Sequence, residues 1–264
     1  MNLNVAVLPL NIMYGNPTVN LEAVASSLQG LRPGTDVVVL PELFSSSFVS
    51  DSNDMHKLAE GKDGVVIRTL KGLAAKYGCA LAGSFAAKDD EKGGKIYNRA
   101  FFIEPGGDTS FYDKHHLFTP SNEAMIFTAG ASRCKLIRFR GWNIRLIVCY
   151  DLRFPAWCRN STGDYDVLIC PANWGGAREY AFRHLIIGRA IENQAYVIGA
   201  NRTGSDAYGD YPREMSLIVS PMGKIIHTDD GDGMMYAELD YEKMIKLRER
   251  FPALPDADEF TFNT

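Results

Sequence analysis

The feature that most constrains the fold is a recurrence of short, almost wholly apolar runs. They are NVAVLPL from Asn4, DVVVLPE from Asp36, CALAGSF from Cys79, NIRLIVC from Asn143, DVLICPAN from Asp166 and AYVIGAN from Ala195. Runs this short read as strands, and strands apolar on successive residues need cover on both faces. Stretches with helical periodicity, Thr18 to Leu28 and Val65 to Lys76, separate the first three runs. The first third is therefore a βαβαβ unit with parallel strands and right-handed crossovers.

The pattern then changes. NRAFFIEPGGDTSFYDK is two runs around Gly106-Gly107, a hairpin, and SLIVSPMGKIIHT is a second one turning at Met222-Gly223. Helical stretches are expected from Glu179 to Glu192 and from Tyr241 to Arg250, with MMYAELD as a last strand between the second hairpin and the final helix. That many strands exceed one small open sheet, and two packed sheets covered outside by helices accommodate them. A chain of 264 residues without a composition break, repeat or linker is expected to be one domain, residues 1–264. Its end, FPALPDADEFTFNT over residues 251–264, is too rich in proline and acid for a helix and reads as a surface-wrapping tail.

Charge and cysteine usage exclude several functions. A net charge of -4 with both signs interspersed argues against nucleic acid or an acidic membrane surface as partner. The N-terminus lacks a cationic start, and no apolar stretch reaches the ~18 residues of a membrane span, so a cytoplasmic location is expected. Five scattered cysteines without a C-x-x-C pair argue against a disulfide framework and a zinc site. His115 and His116, adjacent on a segment read as extended, would point to opposite sides and share no metal.

Chemistry-bearing residues stand at three strand ends: Glu42 closes VVVLPE, Lys114 follows the second arm of the first hairpin, and Cys149 closes IRLIVC. A carboxylate, an ammonium and a thiol suit acyl transfer, with the thiolate as nucleophile, the carboxylate moving protons and the cation holding an oxyanion. A neighbouring lysine is expected to lower the thiol pKa, and burial to raise that of Glu42. Singly, each residue has a plain alternative: a solvated cap, a surface charge and a buried filler.

The segments around them, LPELF, YDKHHLF and CYDLRFP, resemble in order the three signature segments of the nitrilase superfamily of carbon-nitrogen hydrolases. The resemblance extends through NWGGAREYAFRHLIIGRAIENQAYVIGANRTG and is greatest to the bacterial omega-amidase branch. It implies a four-layer α-β-β-α sandwich, no metal or organic cofactor, and a homo-oligomer formed through a helix-lined face. The helix Glu179 to Glu192, with Ala181, Leu185, Ile186 and Ala190, could supply that face or pack on its own sheet.

Carried onto this chain, the resemblance implies Cys149 as nucleophile, Glu42 as general base and Lys114 as the stabilising cation. Glu123 matches a recurrent second glutamate that orients Lys114 or the substrate, although it could simply cap a turn. The backbone N–H of Tyr150 is expected to assist Lys114 at the oxyanion, and Asp151 to anchor the turn. Arg153 is a candidate for the free carboxylate of a substrate, or else a structural ion pair. Phe44 and Trp174 are candidate walls of a small pocket, or core residues. The implied partner is a small amide, the terminal amide of a dicarboxylic acid monoamide such as 2-oxoglutaramate. Rival readings are another amide, carbamoyl amine or nitrile, an idle scaffold, and a redox sensor pairing Cys149 with Cys158.

Overall fold

The computed structural model describes residues 2–89, 93–161, 163–229 and 233–262. Its first half runs β1 (Asn2–Val7), α1 (Pro17–Ser27), β2 (Val37–Val39), α2 (Ser52–Leu58), α3 (Val65–Tyr77), β3 (Ala80–Asp89), β4 (Lys95–Ile103) and β5 (Thr109–Asp113). The second runs α4 (Glu123–Ile126), β6 (Ile137–Phe139), β7 (Trp142–Leu146), α5 (Pro155–Cys158), β8 (Val167–Ala172), α6 (Glu179–Asn193) and β9 (Tyr196–Asn201). It closes with β10 (Gly204–Asp206), β11 (Gly209–Tyr211), β12 (Leu217–Val219), β13 (Met235–Asp240) and α7 (Tyr241–Arg250).

Local chemistry explains the boundaries. Asn16 caps α1 by accepting the Val19 amide at 3.3 Å, and Pro17 presets the first turn. Helix α3 ends on Gly78 at φ 65°, a left-handed residue that costs glycine little. Asp240 caps α7 through the Lys243 amide at 3.0 Å. The short α2 and α4 were not expected from the sequence, since seven and four residues hold too few turns to show a period.

Strand order in the larger sheet is β13-β1-β2-β3-β4-β5, and in the smaller β12-β9-β8-β7-β6. Each has a parallel centre, β1-β2-β3 and β7-β8-β9, with antiparallel strands outside. The first hairpin is β4-β5, turning through Gly107 at φ 94°. In the second, Met222-Gly223 turns the chain, Gly223 donating to the Ser220 carbonyl and Val219 bridging Ile225.

The two-faced burial expected of the apolar runs is met by two different neighbours. Val5, Val7, Val37, Val39, Ala80 and Ala82 share a core with Ile144, Leu146, Val167 and Ile169 of the other sheet. Their alternates Ala6, Val38, Leu40 and Leu81 meet Leu21, Val24, Val66 and Leu70 of α1 and α3. On the far side, Phe182, Ile186 and Ala190 of α6 join the core of the second sheet. Gly199 of β9 permits that approach, since a Cβ there would stand 2.8 Å from the Ile186 side chain. The layers are thus helix, sheet, sheet, helix. Of the stripe read on α6, Ile186 and Ala190 are buried and Ala181 and Leu185 pack half-buried against the same core, so the stripe packs on its own sheet. In the tail, Phe262 stands edge-on to Trp157 at 5.0 Å. No helix among the described residues is long and apolar enough to cross a membrane.

Candidate active site

Strands β2, β5 and β7 end at Val39, Asp113 and Leu146, and Glu42, Lys114 and Cys149 follow within three residues. Because the sheets lie face to face, these ends converge. Lys114 Nζ donates to Glu42 Oε1 at 2.8 Å and to both oxygens of Glu123, at 2.8 and 2.9 Å. Glu123, read as either an orienting residue or a plain cap, accepts from Lys114 and from the Phe118 amide. Gly130 permits this packing: its amide donates to the Lys114 carbonyl, and a Cβ there would collide with the Asp113 carbonyl oxygen.

Two carboxylates and one ammonium leave one buried negative charge, which burial alone would penalise. Neutral donors share it. Asn98, on β4, donates to Glu42 Oε1 at 2.7 Å and to Glu123 Oε1 at 3.3 Å, and is itself held by Ser84 Oγ at 2.9 Å. The Asn173 amide, from the second sheet, donates to Glu42 Oε2 at 2.8 Å. Sequence reasoning missed Asn98 and Ser84; the available signal was a polar residue on an otherwise apolar strand.

The charges set the protonation states. Burial would pull the Lys114 ammonium down, but Glu123, Glu42 and Cys149 more than offset it and hold it well above the ordinary lysine range. Burial pushes the Cys149 thiol well above the ordinary cysteine range, Glu42 adds to this, and Lys114 opposes it only in part. Lys114 does pull the thiol down, as expected, but burial and the Glu42 carboxylate outweigh it. Cys149 therefore rests as a thiol.

Cys149 sits at φ 45° and Leu43, next to Glu42, at φ 48°. Left-handed backbone costs a non-glycine residue about 1–2 kcal/mol, and the surroundings must hold it there. For Cys149 the holder is Asp151, fully buried, which accepts from the Val148 amide at 3.0 Å, the His116 amide at 2.9 Å and the Tyr112 hydroxyl at 2.7 Å. It is the turn anchor foreseen, and it also ties this turn to the segment carrying Lys114.

Glu42, Lys114, Glu123 and Cys149 line one cavity of about 570 Å³, with Tyr150, Trp174, Phe118, Tyr208 and Tyr211 among its walls. Two expected residues are absent from those walls. Phe44 is fully buried, edge-on to Phe101 at 5.9 Å in the core beneath α1 and α3, because the turn at Leu43 reverses the alternation that would have aimed it at the cavity. Arg153 lies with its guanidinium 4.8 Å from the centre of the Trp174 ring, outside the cavity lining and, among the described residues, without the ion pair weighed for it. A larger cleft of about 1030 Å³ lies beside the tail, lined by Gln194, Arg248 and Phe260, and holds no such trio.

His115 and His116 are not on opposite sides of an extended strand. Their segment turns, the rings stand 4.6 Å apart, and their Nδ1 atoms face the Gly130 carbonyl and Asp151. Among the described residues no three His, Cys, Asp or Glu side chains are grouped to hold a metal ion. All five cysteines are free and buried, and Cys158 donates its thiol to the Asp151 carbonyl at 3.4 Å.

A buried thiol, carboxylate and ammonium meet at the joined ends of two sheets in an α-β-β-α sandwich, a set of groups suited to acyl transfer. The carbon-nitrogen hydrolase family matches residues 4–249, and the chain belongs to it. It is a hydrolase of carbon-nitrogen bonds other than peptide bonds, an amidase of the nitrilase superfamily. It is 39% identical over 260 residues to omega-amidase YafV of Escherichia coli strain K12, covering 98% of each chain. It is 31% identical to the 2-oxoglutaramate amidase of Bacillus subtilis, over 97% of this chain and 98% of that protein. Among solved structures, XC1258 of Xanthomonas campestris, a protein of the same superfamily with an arsenic adduct in its active site, matches at TM-score 0.92 and 31% identity over 100% of both chains. Nit3 of Saccharomyces cerevisiae matches at TM-score 0.84 and 26% identity, over 95% of this chain and 94% of that one.

Proposed function

We propose that the chain is an omega-amidase, hydrolysing the terminal amide of short dicarboxylic acid monoamides such as 2-oxoglutaramate through a cysteine thioester. The observation that carries this reading is Lys114 held at 2.8 Å from both Glu42 and Glu123 on the cavity that Cys149 lines. The names of the two bacterial relatives support the substrate class.

The steps follow from the charges. Glu42 accepts the Cys149 proton as sulfur attacks the amide carbon, and the negative charge passes from Glu42 to the new oxyanion. Lys114 and the backbone N–H of Tyr150 stabilise that oxyanion. The buried charge stays at one throughout, so no step requires a second uncompensated anion. Glu42 returns the proton to nitrogen, ammonia leaves with the carbon–nitrogen electron pair, and a thioester remains. Glu42 then takes a proton from water as hydroxide adds to the thioester, and on collapse the carbon–sulfur bond breaks, the acid is released and Glu42 returns the proton to the departing sulfur. Glu123 keeps Lys114 oriented.

The test is ammonia release by wild type and Cys149→Ala from 2-oxoglutaramate, glutamine, a simple aliphatic amide and a nitrile. Release from the keto-acid amide, absent in Cys149→Ala and lost in Glu42→Gln, is expected, with an acyl adduct of Cys149 detectable by mass in acid-quenched wild type and missing from Glu42→Gln. Release only from another substrate would keep the mechanism and reject the substrate class. No Cys149-dependent release would reject both.

A further inference from the structure

An enzyme for acid amides must hold a carboxylate some distance from the reacting amide, and a buried negative charge at the nucleophile makes that harder. The cavity has two cations among its lining residues, Lys114 and Arg178. Lys114 is committed to Glu42 and Glu123. Arg178 is exposed and makes no ion pair among the described residues. The remaining carboxylate in the walls, Asp206, is taken by Arg202 at 2.6 Å, the Tyr208 amide at 2.9 Å and the Tyr211 hydroxyl at 3.2 Å.

The fold fixes where Arg178 stands. Its carbonyl accepts from Trp174 Nε1 at 3.1 Å, and the turn before it is pressed on the β10-β11 ribbon: a Cβ on Gly176 would stand 2.8 Å from the Asp210 carbonyl oxygen. The guanidinium lies 5.2 Å from the centre of the Phe118 ring, a platform that orients the planar group without neutralising it. Its Nη2 lies 3.6 Å from where a Cβ of Gly175 would be, an ordinary contact distance, so the fork sits beside the backbone of another cavity-lining residue.

From this geometry we infer that Arg178 receives the distal carboxylate of the substrate, the role that sequence reading had offered to Arg153. The inference rests on the acid-amide reading of the site. A planar fork on an aromatic platform binds a carboxylate through two parallel hydrogen bonds, and the platform lowers the cost of ordering a long side chain.

The probes are succinamate and succinamide, which differ only in a carboxylate against a carboxamide at the far end. Ammonia release from both is measured with wild type, Arg178→Met, Arg178→Lys and Arg153→Met. Wild type is expected to prefer succinamate. Arg178→Met should lower kcat/KM for succinamate about 10- to 100-fold, mostly through KM, and collapse the preference. Arg178→Lys should restore part of it, and Arg153→Met should keep it. Taking the ratio of the two substrates within one preparation cancels any loss of folded enzyme. A preference retained in Arg178→Met, or lost in Arg153→Met, overturns the assignment alone. A wild type indifferent to the carboxylate overturns the acid-amide reading, and this inference with it.

Discussion

The two sheets contribute to the site in opposite ways. The larger brings charge: Glu42, Lys114 and Asn98 stand on or just beyond β2, β5 and β4, and they are held by one another across the chain. The smaller brings a neutral thiol, Cys149, the proposed nucleophile, held by a strained local turn and the carboxylate of Asp151 two residues on. Charge needs long-range partners because a buried ion is costly until it is paired. A thiol needs only an exact backbone, which a short turn can set. The half that carries charge should therefore couple activity to stability, while replacing the sulfur itself should separate them.

The largest expected effect breaks the second half alone. Cys149→Ala should reduce ammonia release by a factor on the order of 10^4 or more, since the covalent route is lost, and should barely move the urea midpoint. A matching loss of stability would erase the distinction. Lys114→Met tests the other half. Two carboxylates would then face each other without a cation, costing about 3–5 kcal/mol in urea unfolding, and adding Glu123→Gln should recover part of that. No recovery would show that the three groups are not energetically one unit.

A smaller effect is expected at Asp151→Asn, where an amide would have to replace a carboxylate accepting from Val148, His116 and Tyr112. The cost should be about 1–3 kcal/mol, with kcat falling more than KM rises, because the Cys149 turn loosens. An unchanged kcat would remove Asp151 from positioning the nucleophile.

The smallest effect falls on both halves equally. Burial pushes the thiols of Cys79 and Cys134 up to about 11, from an unfolded value of 9.0. Their pKa values are raised in the folded state, so the unfolded chain loses these protons first as pH rises. The stability they contribute is complete below about pH 9 and drains away towards pH 11. Urea midpoints at pH 8, 9.5 and 10.5 should fall in that order, and the fall should be shallower in Cys79→Ala. An equally steep decline in the variant would assign it to other groups.

Much of this was legible beforehand. The helix read over Tyr241 to Arg250 has those bounds in the structure, and Glu179 to Glu192 is extended by one residue. Glu42, Lys114 and Cys149 were visible because each follows an apolar run that had to be a buried strand. Phe44 was misread because alternation was carried past Leu43, where a left-handed residue ends it. Arg178 was overlooked because nothing local distinguishes an unpaired surface arginine from a paired one, and Arg153 drew attention only by standing near Cys149.

The sequence alone determined the strand and helix alternation, the three strand ends that bear chemistry, and the family to which they belong. Such properties are written in neighbouring residues, through periodicity and the order of short segments. Only the tertiary structure decided that Asn98 shares the buried charge, that the Cys149 thiol keeps its proton, and that Arg178 faces the cavity. Those outcomes depend on contacts such as Lys114 with Glu42, 72 residues apart, and Asn173 with Glu42, 131 apart. Separations of that size are closed by the packing of two sheets, and no local pattern encodes which charges will meet there.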